Sequence, residues 1–150
     1  MEMLFGLPAH PLLVHFPVVA IPAFSIAALL WTLRPWQNKN AGLGVAVFGI
    51  VTAISAILAA SSGEALAETL QSGDTIDRHR ELGETLRLIV ILQAVAFIGA
   101  VAPASNKSFG AKHPITLFAR IVALVTSVLA VIWVIRVGHE GASQTWGFLS

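Results

Sequence analysis

Residues 41–62 read AGLGVAVFGIVTAISAILAASS, a run without one charged side chain. Its length is close to the ~20 residues an α-helix needs to cross a hydrocarbon layer of about 30 Å. Three further apolar blocks, Pro11–Leu33, Thr85–Pro103 and Ile115–Val137, have similar lengths. The 150-residue chain is 56% hydrophobic and only 11% charged, against roughly 25% charged in a soluble domain. A soluble core of this size has no room for so much apolar surface. Lipid offers backbone groups no water, so each block must satisfy its own hydrogen bonds as a helix; a β-barrel would demand a period-two alternation that is absent. The expected fold is all-α: an integral membrane four-helix bundle forming a single transmembrane domain over residues 1–150.

Within residues 41–62 and just beyond, Gly42, Ala46, Gly49, Ala53, Ala56, Ala60 and Gly63 recur at spacings of four and three. They form a seam of small residues down one helix face, which lets a neighbouring helix approach closely. The outer end of the seam is also a possible floor for a cofactor. In the first block, Pro17 and Pro22 each lack a backbone donor and are expected to bend the helix beyond His15. Met1–His10 contains Glu2 and neither Lys nor Arg, so the first block reads as a retained helix rather than a secretory signal.

Charge sets the expected orientation. With four crossings, the loops Arg34–Asn40 and Ala104–Pro114 share one side and carry Arg34, Lys39, Lys107 and Lys112 without an acid. Arg120 lies just inside the fourth block, where it can snorkel toward them. The positive-inside rule makes that side cytoplasmic. All eight acids fall on the other side, which gives N-out/C-out and a multi-pass protein of a bacterial inner (cytoplasmic) membrane. Trp31 and Trp36 are expected at the inner interface, Trp133 and Trp146 at the outer one. The segment after residue 62 is expected to continue the second helix to Leu70. A break at Ser72-Gly73 and a new helix capped by Asp74 then carry His79 into the third span.

The absence of cysteine excludes disulfides, cysteine-ligated clusters and covalent c-type haem. A net charge of +1, with no basic patch and no phosphate-cradling glycine loop, gives no sign of nucleic acid as a partner. No nucleophile–base pair and no paired catalytic carboxylates appear in the spans, which argues against hydrolytic chemistry; an electron-transfer protein or a subunit of a redox complex is expected ahead of a stand-alone enzyme.

Topology places His10, His15, His79 and His139 at the outer end and His113 at the inner. Imidazoles from two helices are what a six-coordinate b-type haem requires, since each neutral ring offers one nitrogen to iron and its other N–H to a supporting acceptor. His15, about 6 Å along a helix that starts at Pro11, is the expected first ligand, with His79 or His139 as the second. His10 is expected as a spare ligand or an orienting neighbour. Gly83 and the glycines flanking His139 leave room for a flat macrocycle. Arg78, Arg80 and Arg87, with Arg136 at the same level, are placed to pair with propionates. Two rival readings stand beside this one: a metal site in which Glu64 or Glu140 joins the histidines, and a cofactor-free accessory or assembly subunit organised by the small-residue seam.

The stretch His10-Pro11-Leu12-Leu13-Val14-His15-Phe16-Pro17 resembles the opening signature of the bacterial membrane family catalogued as domain of unknown function 2231. Gly63-Glu64-Ala65, His79 with Gly83, and Gly138-His139-Glu140-Gly141-Ala142 are similar to its later motifs. Gln144-Thr145-Trp146 departs from the family's usual hydrophobic-Val-Tyr ending. The resemblance covers nearly the whole chain and implies four helices and redox work, because some members look joined to Rieske-type or encoded beside cytochrome-type partners. The family's motif histidines fall on His10, His15, His79 and His139. The expected activity is membrane electron transfer with haem b near the periplasmic face. Quinol or a membrane redox subunit is the expected donor and a periplasmic c-type cytochrome the acceptor, the protein acting as an oligomer or part of a complex.

Because the chain has no native cysteine, its topology is open to direct labelling. Single cysteines at Ser72 and Ser105 are expected to react from opposite sides, Ser72 from the periplasm and Ser105 only once the inner face is opened. Labelling of both from one side overturns the four-span arrangement.

Overall fold

The computed structural model describes residues 3–4, 7–33, 38–69, 74–105 and 113–146. After a two-residue antiparallel ladder pairing Met3–Leu4 with Leu7–Pro8, the chain forms α1 (Ala9–Leu13), α2 (His15–Leu33), α3 (Lys39–Thr69), α4 (Asp74–Val101) and α5 (Pro114–Trp146). Among the described residues, four segments are long and apolar enough to span a membrane: Ala9–Leu33, Lys39–Glu68, Asp77–Val101 and Pro114–Ser143. The expected four-helix bundle is therefore present. Its helices overrun the apolar blocks, and α3 and α5, at about 1.5 Å per residue, project well beyond a ~30 Å layer.

The surface is inverted relative to that of a soluble protein. Val19, Val47, Val95 and Ile135 are each more than 60% exposed, while the interior is rich in alanine, including Ala20, Ala28, Ala94, Ala123 and Ala130. Large side chains face lipid, and small ones let the backbones close, as expected where lipid removes the hydrophobic drive between helices. Each long helix packs on two others, in the order α2, α3, α4, α5 and back to α2, with few contacts between α2 and α4 across the middle.

Prolines set the local breaks. Pro17 has no N–H to give the Leu13 carbonyl, and the helix is interrupted at Val14, between α1 and α2. The interruption thus falls just before His15, and α2 is one continuous helix through Pro22. Pro103 likewise leaves the Gly99 carbonyl without its donor, and the chain tightens after Val101 into a 3-10 turn over Ala102–Ser105. Asn38 caps α3, its Oδ1 accepting from the amides of Asn40 (2.9 Å) and Ala41 (3.2 Å). Arg120 donates to the Thr32 carbonyl at 3.0 Å, so its guanidinium satisfies an orphan acceptor at the end of α2. The helix break at Ser72-Gly73, the loop cations Arg34, Lys107 and Lys112, and Trp36 lie outside the described residues, as does the Asp74 side chain.

The small-residue seam receives the first helix in steps of seven. A Cβ at Gly42 would fall 2.7 Å from the Trp31 indole, one at Gly49 2.5 Å from the Phe24 ring, and one at Gly63 2.9 Å from the His10 imidazole. Phe24 also packs edge-on against Phe97 and Phe48, and Trp31 against Phe97, filling the half of the bundle away from His10. Near mid-bundle the Gln93 amide donates to Ser25 (3.1 Å) and Ser127 (3.0 Å), joining α4, α2 and α5 where all three side chains are buried.

Two alanine substitutions on one helix test this packing. Gly49→Ala is expected to lower unfolding stability in detergent by about 1–3 kcal/mol, the usual cost of overpacking. Gly44→Ala, whose Cβ meets nothing within 4 Å, is expected to leave it unchanged or slightly raised. Equal stability of the two variants rules out the ring-on-glycine contact.

Candidate functional site

Above the filled half, the four long helices and α1 surround a cavity of about 490 Å³, within the usual size of ligand pockets. Its floor is the second apolar cluster, since Ile21, Ala56, Leu86 and Val134 belong to both. The wall is mostly apolar, and helix phase decides which side chains reach it. The first segment presents His10, Val14, Pro17, Val18 and Ile21, and α5 presents Val134, Val137, Gly138 and Gly141. On α4 the stripe is His79, Arg80, Gly83, Glu84, Leu86 and Arg87. Ala56, Ala60 and Gly63 of the seam complete it from α3, so the seam's outer end does line a cavity.

Of the four histidines expected together, the structure brings two together. His10 and His79 lie with ring centres 6.3 Å apart and ring planes at 86°. His15 is exposed and off the cavity stripe. His10 lines the cavity and His15 does not. The expected pairing of His15 with His79 or His139 is therefore not the pair assembled; His10, expected as a spare, takes the inward position. His139 is also exposed, one position past the inward Gly138, and lies in a separate shallow groove with Arg78, Arg136 and Glu140.

Glycines back both inward rings. Gly63 presses on His10, and a Cβ at Gly141 would come within 3.1 Å of the His79 ring. Gly83 and Gly138 lie on the cavity wall with nothing within 4 Å of an added Cβ, so their missing side chains leave space. In the Gly138–Gly141 motif it is thus the glycines that shape the cavity.

His10 Nδ1 lies 3.0 Å from the Ala59 carbonyl and 3.2 Å from Ser62 Oγ, and the Ser62 hydroxyl donates to the same carbonyl at 2.8 Å. A carbonyl can only accept, so Nδ1 carries the ring proton and Nε2 keeps its lone pair. Sequence reasoning missed Ala59 and Ser62; the signal that points to them is position, Ala59 one turn before Gly63 and Ser62 next to it, at the end of α3 that meets the first helix. His79 Nδ1 is buried without a well-formed hydrogen bond among the described residues, and the Val137 backbone is close enough to act on the ring.

The arginines divide between the two sites. Arg87 reaches Glu64 at 3.2 Å and Arg80 reaches Glu84 at 3.7 Å, all four placed on or beside the cavity wall. Arg78 pairs with Glu140 at 3.6 Å, outside the cavity. Glu64 and Glu140, the expected extra ligands of a metal site, are thus held by arginines. Among the described residues no group of three or more His, Asp or Glu side chains is arranged to hold a metal ion. His113 sits at the other end, its Nδ1 accepting from the Ile115 amide at 3.4 Å.

The fold and site define an all-α, multi-pass membrane protein with a two-histidine cavity at one end of its bundle. The chain belongs to the family described as predicted membrane protein DUF2231, whose model matches residues 6–149. No curated protein and no solved structure matches it.

Proposed function

We propose that the cavity holds haem b between His10 and His79 and that the protein passes electrons at the periplasmic face of a bacterial inner membrane. The separation of the two imidazoles carries this reading. A metal–imidazole bond is about 2.0–2.1 Å long. A ring nitrogen sits roughly 1.1 Å from its ring centre, the radius of a pentagon with ~1.33 Å bonds. The centres of His10 and His79 are 6.3 Å apart, a span that one metal ion would bridge if each ring gave it a nitrogen.

The donor set suits that role. His10 offers Nε2 while its Nδ1 is anchored on Ala59, the supporting bond that fixes a ligating tautomer. His79 lines the cavity with a buried Nδ1 that makes no well-formed hydrogen bond, a polar atom that a ligand would satisfy. Gly83 and Gly138 leave wall space for a flat ring, and Arg80 and Arg87, each balanced by a glutamate, stand where propionates require cations. Bound there, haem supplies a reversible one-electron couple whose potential follows its axial ligands and surroundings. The chain's part is to hold both imidazoles at fixed depth, keep water from the apolar floor and balance charge at the rim. The acids at this end and the basic short loops at the other support an outer position for the site under the positive-inside rule. An acidic outer face steers a basic soluble acceptor such as a small c-type cytochrome, with quinol or a membrane redox subunit as donor.

The test is the absorption spectrum of detergent-purified protein, oxidised and then dithionite-reduced, from cells supplied with haem. Wild type is expected to show a Soret band with sharp reduced α and β bands at one haem per chain. His10→Ala and His79→Ala are each expected to lose the low-spin spectrum at matched folding yield, whereas His15→Ala, His139→Ala and His113→Ala retain it. Gly83→Leu, whose Cβ meets nothing within 4 Å and whose side chain extends from the cavity wall, is expected to reduce haem content at least tenfold. A colourless, folded wild type overturns the proposal, with bound copper or zinc reassigning the pair to a metal. So does retention of full haem by His10→Ala.

A further inference from the structure

We infer that the groove between α4 and α5, outside the histidine cavity, binds the phosphate of an anionic phospholipid. The groove measures about 210 Å³ and is lined by Arg78 and Leu82 from α4 and by Ile135, Arg136, His139 and Glu140 from α5. Its charged groups and its apolar groups separate along the helices. Ile135, 64% exposed, and Leu82 form the part that faces lipid, and the cations lie around it. Arg136 is held over the Trp133 ring, its guanidinium carbon 4.8 Å from the ring centre. A cation–π contact of this kind fixes an arginine without neutralising it, and tryptophan favours the headgroup level. Arg78, whose side chain is 67% exposed, is balanced by Glu140 at 3.6 Å.

The charges leave one arginine in excess of the single acid, Glu140. That excess suits a phosphate monoanion. A zwitterionic headgroup brings its own cation and gains less. The apolar residues beside the arginines decide between a lipid and free phosphate: an acyl chain covers Leu82 and Ile135, and an inorganic ion leaves them bare. Two arginines on different helices also give the phosphate fork-shaped donors from both sides, so a bound lipid bridges α4 and α5.

The experiment uses the full chain in mild detergent, with bound lipid counted by native mass spectrometry and thermal stability measured beside it. The probes are dioleoyl phosphatidylglycerol, dioleoyl phosphatidylcholine and inorganic phosphate. Phosphatidylglycerol is expected to be retained and to raise the melting temperature, with phosphatidylcholine and inorganic phosphate giving little of either. Arg136→Gln and Arg78→Gln are each expected to weaken phosphatidylglycerol binding about fivefold, the scale of one basic side chain at an anionic surface. Glu140→Gln is expected to strengthen it, a gain that misfolding cannot mimic. Equal retention of the two lipids, an equal melting shift with inorganic phosphate, or unchanged binding in all three variants overturns the inference. Haem content is read separately, so failure here leaves the cavity proposal where it stands.

Discussion

The register between the first helix and α3 is the constraint on which the rest of the molecule depends. Trp31 lies on Gly42, Phe24 on Gly49 and His10 on Gly63, so the two antiparallel segments exchange a ring for a gap at intervals of seven or fourteen residues. Missing side chains are what allow the contact, because a Cβ at any of the three glycines would overlap the ring above it. Twenty-one residues separate His10 from Trp31, roughly 31 Å of helix at 1.5 Å per residue. The two rings therefore mark the edges of a layer about as thick as the hydrocarbon core, and the depth of His10 is fixed by packing along the whole helix.

The same register explains why the bundle is full at one end and open at the other. Continuing the seven-residue step from Phe24 gives Pro17 opposite Ala56, and both line the cavity. Proline here supplies a small ring where the series elsewhere places an aromatic one, and Gly83 and Gly138 add no side chain from the facing helices. Close-packed interiors leave few voids of this size without a use. Pro17 acts twice, since its missing N–H also coincides with the interruption at Val14, just where the chain turns from α2 into α1 and delivers His10.

Inside a bilayer, polar groups are costly unless they are paired. The bundle observes this at three levels: Arg87 with Glu64 and Arg80 with Glu84 by the cavity, Gln93 with Ser25 and Ser127 in the middle, and Arg120 on the Thr32 carbonyl at the far end. His10 and His79 lie side by side on the cavity wall, His10 anchored through one nitrogen on Ala59. His79 Nδ1 is one of several buried polar atoms without a well-formed hydrogen bond, Gln93 Oε1, Thr116 Oγ1 and Trp133 Nε1 among them, and of these residues His79 alone lines the cavity.

Hydropathy and charge in the sequence by themselves determined that the chain forms four apolar helices, because only a helix satisfies its backbone in lipid and block length reports the thickness to be crossed. The seam of small residues was likewise legible, since a spacing of four and three is a property of one helix. Which histidines meet was not. His10 and His15 share a motif and nearly a depth, and choosing between them requires the rotational phase of the first helix, which Pro17 interrupts at Val14 and packing on Gly63 then fixes. His79 and His139 differ for the same reason: one lies on the inward stripe of α4, and the other is one residue past the stripe of α5. Phase about a helix axis is set by contacts between helices, and those contacts exist only in the folded bundle.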